Sequence, residues 1–157
     1  MIARTTARLI ILGACILGLS ALGSEKNPVP RPYKSTVAAT KIVDLVTGQY
    51  ETWGVGTATH LGSITVHTVG TLIVELDPFE IIPLSQNGTA TAANGDQYSW
   101  VLQGGAVVIT GGTGRFTGAT GSITNFGEYE DLEATIDWGT MTLTMTCSAS
   151  VGGTIVY

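Results

Sequence analysis

Residues 110–121 read Thr110-Gly111-Gly112-Thr113-Gly114-Arg115-Phe116-Thr117-Gly118-Ala119-Thr120-Gly121, and five of these twelve are glycine. Glycine stands where the backbone takes positive φ, or where another chain approaches with no room for a Cβ. Three of them crowd at 111, 112 and 114, which suits a tight corner between strands. Gly118 and Gly121 are three apart in a run of β-formers, where isolated glycines mark bulges or sharp bends. Closing a sheet on itself needs such bends. The stretch therefore predicts a corner element in a sheet that closes into a small barrel. A phosphate cradle does not fit: the glycines miss the G-x-G-x-x-G spacing, no lysine follows, and the threonine-rich continuation is a poor helix former.

Outward from this corner the hydrophobic period is two, and the class is all-β. Ten segments carry β-branched or aromatic residues between turn signals: 36–46, 53–61, 64–76, 89–93, 97–102, 106–110, 115–126, 132–138, 140–148 and 154–157. The clearest follows Gly139, where Met141, Leu143, Met145 and Cys147 alternate with Thr142, Thr144 and Thr146. That puts Cys147 on the apolar face, as an inert small hydrophobe. Residues 64–76 are apolar on both faces, with Val66 and Leu72 on one and Val69 and Ile73 on the other. Such a strand needs two covers, so the loop 77–86 or a second subunit is expected over it. Asn94-Gly95 and Asn87-Gly88 each give a type I′ hairpin signal. Asn87-Gly88-Thr89 is also a glycosylation sequon.

The amino terminus carries Arg4 and Arg8 and then a short apolar run to Leu22. That run is shorter than the roughly 20 residues of a membrane helix and ends on small residues, so residues 1–23 read as a signal peptide. Leu12-Gly13-Ala14-Cys15 offers the alternative of a lipoprotein anchored through Cys15. Both routes take the protein out of the cytoplasm, secreted, periplasmic or at the cell surface. Residues 24–32, with three prolines, read as a flexible leader, and residues 33–157 as the β-barrel domain. No further membrane helix is expected. If Cys15 leaves with the signal, Cys147 is alone and the core must hold the fold. Removing Arg4 and Arg8 takes the formal net charge from −5 to −7, which argues against nucleic acid as a partner.

The run at 110–121 resembles the glycine-rich signature of the allene oxide cyclase and dirigent barrel superfamily, T-G-G-T-G-x-F-x-G-A-x-G. Gly56-Thr57-Ala58-Thr59-His60-Leu61-Gly62 and Thr91-Ala92-Ala93-Asn94-Gly95-Asp96 resemble segments of uncharacterised secreted bacterial proteins that share this barrel. The resemblance implies a single antiparallel, calycin-like β-barrel of eight strands or nearly so and, in the plant members, either cyclisation of a fatty-acid epoxide or the steering of phenoxy-radical coupling. Arg115 and Phe116 fall on variable or scaffold positions of the signature and are assigned structural roles.

Candidates for chemistry are few. His60 and Glu75 are the candidates for an isomerase or cyclase mechanism. Trp53, Trp100, Trp138 and Met141 are the side chains expected around an apolar ligand. No zinc spacing exists, and no metal or cofactor is expected; the acidic cluster Glu128, Glu130 and Asp131 is the alternative, as hard ligands for calcium. Three classes of function stay open: a secreted barrel holding a small hydrophobic ligand, a structural or surface-interaction module with a filled interior, and an isomerase.

Overall fold

A computed structural model of the chain describes residues 28–77 and 79–157, without the side chains of residue 79 and residues 125–131. Residues 1–23, with Cys15, and the first four residues of the leader, 24–27, lie outside this range. Eight strands follow in order: β1 (Pro30–Asp44), β2 (Gln49–Ala58), β3 (Gly62–Leu76), β4 (Phe79–Ala92), β5 (Gln97–Gln103), β6 (Ala106–Gly112), β7 (Thr120–Asp137) and β8 (Thr142–Val156). A single 3₁₀ turn, Gly114–Phe116, joins β6 to β7. Each strand pairs antiparallel with the next, and β8 returns to β1, so the sheet closes into a barrel. The closing seam is long, from Pro30 opposite Val156 to Asp44 opposite Thr142. None of the described helices is long and apolar enough to cross a membrane.

The glycine corner forms where the sequence places it. Gly111, Gly114, Gly118 and Gly121 all take positive φ. At Gly121 a Cβ would lie 2.1 Å from the carbonyl oxygen of Thr154, so here both reasons for glycine apply at once. Phe116, fully buried, anchors the corner against Tyr98 and Tyr157, with ring centroids 6.1 and 4.7 Å away. Arg115 ties it to the β4–β5 loop through Nε and Asp96 Oδ2 at 3.0 Å.

Several local expectations are revised. The ten segments merge into eight strands, because bulges bend a strand without ending it. Residues 120–137 form one strand whose register against β8 slips between Ile123 and Asn125, Phe126 and Tyr129, and Glu130 and Glu133. β1 begins at Pro30, so the last three residues of the expected leader are strand. The expected covering loop 77–86 is mostly the first half of β4. It pairs with β3 across a bulge that places Thr71 opposite Ser85 and Leu72 opposite Pro83. Val69 and Ile73 on the outer face of β3 are accordingly exposed in the single chain.

The hairpin signals resolve differently. Asn94-Gly95 is a turn, but only Gly95 has positive φ. The bonds from Gly95 N–H to Ala92 O and from Ala92 N–H to Asp96 O make a three-residue loop, not a type I′ turn. Asn87-Gly88 is no turn at all and lies inside β4. A Cβ on Gly88 would sit 2.2 Å from the Trp100 ring, so this glycine serves close packing across β4 and β5. Met141 is 37% exposed with φ +53° in the turn before β8, so the alternating apolar face starts at Leu143. His60, read as part of a strand, sits in the β2–β3 turn with φ +70°.

Among the described residues the buried side chains form two separate apolar cores. At one end Tyr33, Ile64, Tyr98, Trp100, Ile109, Phe116 and Ile155 pack with their neighbours. At the other, Val43, Tyr50, Leu72, Leu143 and Met145 form a smaller cluster.

Candidate functional site

Strand alternation sets what lies between those two cores. Along β1 the inward positions are Tyr33, Ser35, Val37, Ala39, Lys41 and Val43, ending in the second core. A lysine therefore stands on the inner face of a strand whose other inward residues are mostly apolar. Register carries the polar character around the barrel. Lys41 is opposite Thr52 on β2, Thr52 opposite Thr68 on β3, Thr68 opposite Gly88 on β4, and Gly88 opposite Trp100 on β5. Gln86 on β4 and Cys147 on β8, each one inward step from this level, face the same space, while the residue directly opposite Lys41 on β8 is Met145 of the second core.

The level surrounds a cavity of about 160 Å³. Its polar lining is Ser35, Lys41, Thr52, Thr68 and Gln86, with Cys147 and the three tyrosines Tyr33, Tyr50 and Tyr98. Val37, Val66, Trp100, Val107, Ile123 and Val151 supply its apolar wall. The Thr52 hydroxyl is buried with no hydrogen-bond partner among the described residues. The Lys41 ammonium lies 4.7 Å from the centre of the Tyr50 ring, a cation–π contact.

Burial governs the titration of these groups. It pulls the Lys41 ammonium below the ordinary lysine value, against a smaller opposing pull from Cys147. It pushes the Cys147 thiol up, which Lys41 partly offsets. Cys147 is half-buried and free, and at neutral pH it stays a thiol. The hydroxyls of Tyr33 and Tyr98 hydrogen-bond to each other, with rings 5.6 Å apart in an edge-to-face arrangement. Burial raises both phenols, so they remain neutral donors.

The residues singled out in the sequence are scattered by comparison. Trp100 is 6% exposed and lines the cavity. Trp53 is 46% exposed on the outer face, stacked on His67 at 5.8 Å, and His67 Nε2 is 2.6 Å from Glu51 Oε1. Trp138 is 62% exposed in the β7–β8 turn. His60 Nε2 is 3.0 Å from the carbonyl oxygen of Pro32, and Glu75 is exposed on β3; neither faces the cavity. The side chains of Glu128, Glu130 and Asp131 lie outside the described residues. Among the described residues no group of three or more His, Cys, Asp or Glu is placed to hold a metal ion.

A larger concavity of about 1010 Å³ runs over the outer surface past Trp53 and His67. It is open to solvent and would desolvate a ligand less than the interior does. Lys41, Thr52 and Thr68 went unmarked in the sequence, although the signal was there: extending the alternation of β1 from Tyr33 puts Lys41 on the inner face. A scan against protein-family models and searches of curated proteins and of solved structures each return no match for this chain.

Proposed function

We propose that this chain is a ligand-binding barrel that holds one small molecule, about the size of a single aromatic ring, between its two cores. The observation that carries the reading is the polar level itself. A structural module with a filled interior would place interlocking apolar side chains there, because a buried polar group without a partner costs about 1–3 kcal/mol. Here, among the described residues, a threonine hydroxyl stands unpartnered beside a cavity of about 160 Å³. Cavities of about 150 Å³ suffice to take up benzene. The export signal and the calycin-like, allene oxide cyclase-like resemblance belong to the same proposal: a barrel working outside the cytoplasm on a molecule held inside it. No observation favours the isomerase alternative, since His60 and Glu75 are both exposed and neither lines the cavity.

The test uses Trp100 as the reporter. The chain has three tryptophans, so Trp53→Phe with Trp138→Phe leaves Trp100 alone. Toluene and phenol should then change its emission saturably with one site per chain, and Ala149→Leu, which fills the cavity, should remove the effect. Emission that drifts linearly with concentration, unaltered by Ala149→Leu, would sink the reading.

A further inference from the structure

We infer that the ligand of this cavity is a small monoanion, a carboxylate on a ring-sized apolar body, with Lys41 as its counter-ion and Thr52 donating to it; the inference rests on the binding-barrel reading. Among the described residues the lining supplies a positive charge and several hydroxyl donors but no negative charge. Among the described residues Lys41 has no carboxylate partner. The two ion pairs formed there, Glu51 with His67 and Asp96 with Arg115, lie on the surface.

The π face of Tyr50 supports the ammonium on one side, yet a cation inside a barrel is stable only when paired and hydrogen-bonded. A carboxylate entering the cavity meets both needs. It neutralises Lys41, and a free lone pair accepts from the Thr52 hydroxyl, which sits opposite Lys41 in the β1–β2 register. The charge count selects among anions. One lysine balances one negative charge, whereas a phosphate dianion would leave a net negative charge in a low-dielectric interior. The volume of about 160 Å³ limits the apolar body to one ring or a short branched chain.

The experiment compares benzoate with benzamide, its neutral counterpart of nearly the same shape, in the Trp100-only background at pH 7. A hydrogen-bonded charge pair contributes about 1.5–3 kcal/mol, so benzoate should bind at least about tenfold tighter. Lys41→Met should erase that preference, bringing the ratio of benzoate to benzamide affinity to about one. Thr52→Val should weaken benzoate more than benzamide.

A pH arm uses the parent protein and guards against a Lys41→Met chain that fails to fold. Benzoate affinity should fall as pH rises through the lowered range of Lys41, beneath the ordinary value of about 10.4, with benzamide unaffected. Among the described residues the other titratable groups lining the cavity with Lys41 are Tyr33 on its own strand, Tyr50 from β2, Tyr98 from β5 and Cys147 from β8; Thr68 and Gln86 from β3 and β4 do not titrate. Because a Cys147 thiolate would also repel the anion, the fall should persist in Cys147→Ala.

Equal binding of benzoate and benzamide, or a benzoate preference that survives Lys41→Met, would overturn the anion assignment while leaving the binding barrel intact. If neither compound nor toluene binds, both readings fall together.

Discussion

Gly88 and Lys41 are the two residues whose placement most constrains the interior, one by having no side chain and the other by having a charged one. Trp100 occupies the space that a side chain at 88 would need. Gly88→Ala should therefore force the indole aside and destabilise the protein by about 1–3 kcal/mol, the usual range for overpacking a core, read from urea unfolding midpoints. Lys41 works against stability when no ligand is bound. Its folded pKa lies below its unfolded value, so between the two the unfolded chain binds the extra proton and stability rises with pH. At neutral pH the charge is a burden on the folded state. Lys41→Met should raise ligand-free stability at pH 7 by about 1 kcal/mol. The advantage should shrink as the parent protein approaches pH 10 and sheds that charge.

Two turns at the same end of the barrel share one device. After β1, Asp44 Oδ1 accepts from the backbone N–H groups of Val46 and Thr47 at 2.8 and 3.0 Å. After β7, Asp137 Oδ1 accepts from those of Gly139 and Thr140 at 2.8 and 3.3 Å. These bonds hold both carboxyls below the ordinary aspartate value. Folded values depressed in this way give a contribution present above about pH 3.9 and lost as pH falls through them. The double variant Asp44→Asn, Asp137→Asn should be less stable than the parent at pH 7. Its deficit should narrow between about pH 4 and pH 2, as thermal midpoints would show. At the same scale, β7 illustrates how an element persists through irregularity. Three register slips bend it against β8 without breaking the pairing, and the turn signals along it mark bulges instead of ends.

For the molecule as a whole, closure is what makes an interior. β8 pairs with β7 on one side and β1 on the other, so removing residues 151–157 would unzip two strands together. It would strip partners from Pro30–Ser35 of β1 and from the start of β7, and would take Ile155 out of the larger core. Open edges invite intermolecular pairing. The truncated chain should lose its cooperative urea transition and scatter light at concentrations where the full chain stays clear; a cooperative, monodisperse truncate would contradict this. Two cores instead of one accompany this closure, each end of the barrel carrying its own apolar level with the polar level between them.

The sequence alone determined the class, the antiparallel pairing and the corner at residues 110–121, because period-two alternation and glycine placement are local properties of the backbone. It also placed Phe116 as scaffold. Tertiary structure alone decided the lengths of the strands, since a bulge and a chain end carry the same turn residues. It moved Asn87-Gly88 into a strand, for the reason that a ring from β5 lies over it. Only closure could decide which of the three tryptophans faces inward, because alternation gives a strand two faces without saying which is the inside. The same ambiguity hid the site: Lys41, Thr52 and Thr68 come from three strands and become neighbours through register, a relation between segments that no single stretch of sequence contains.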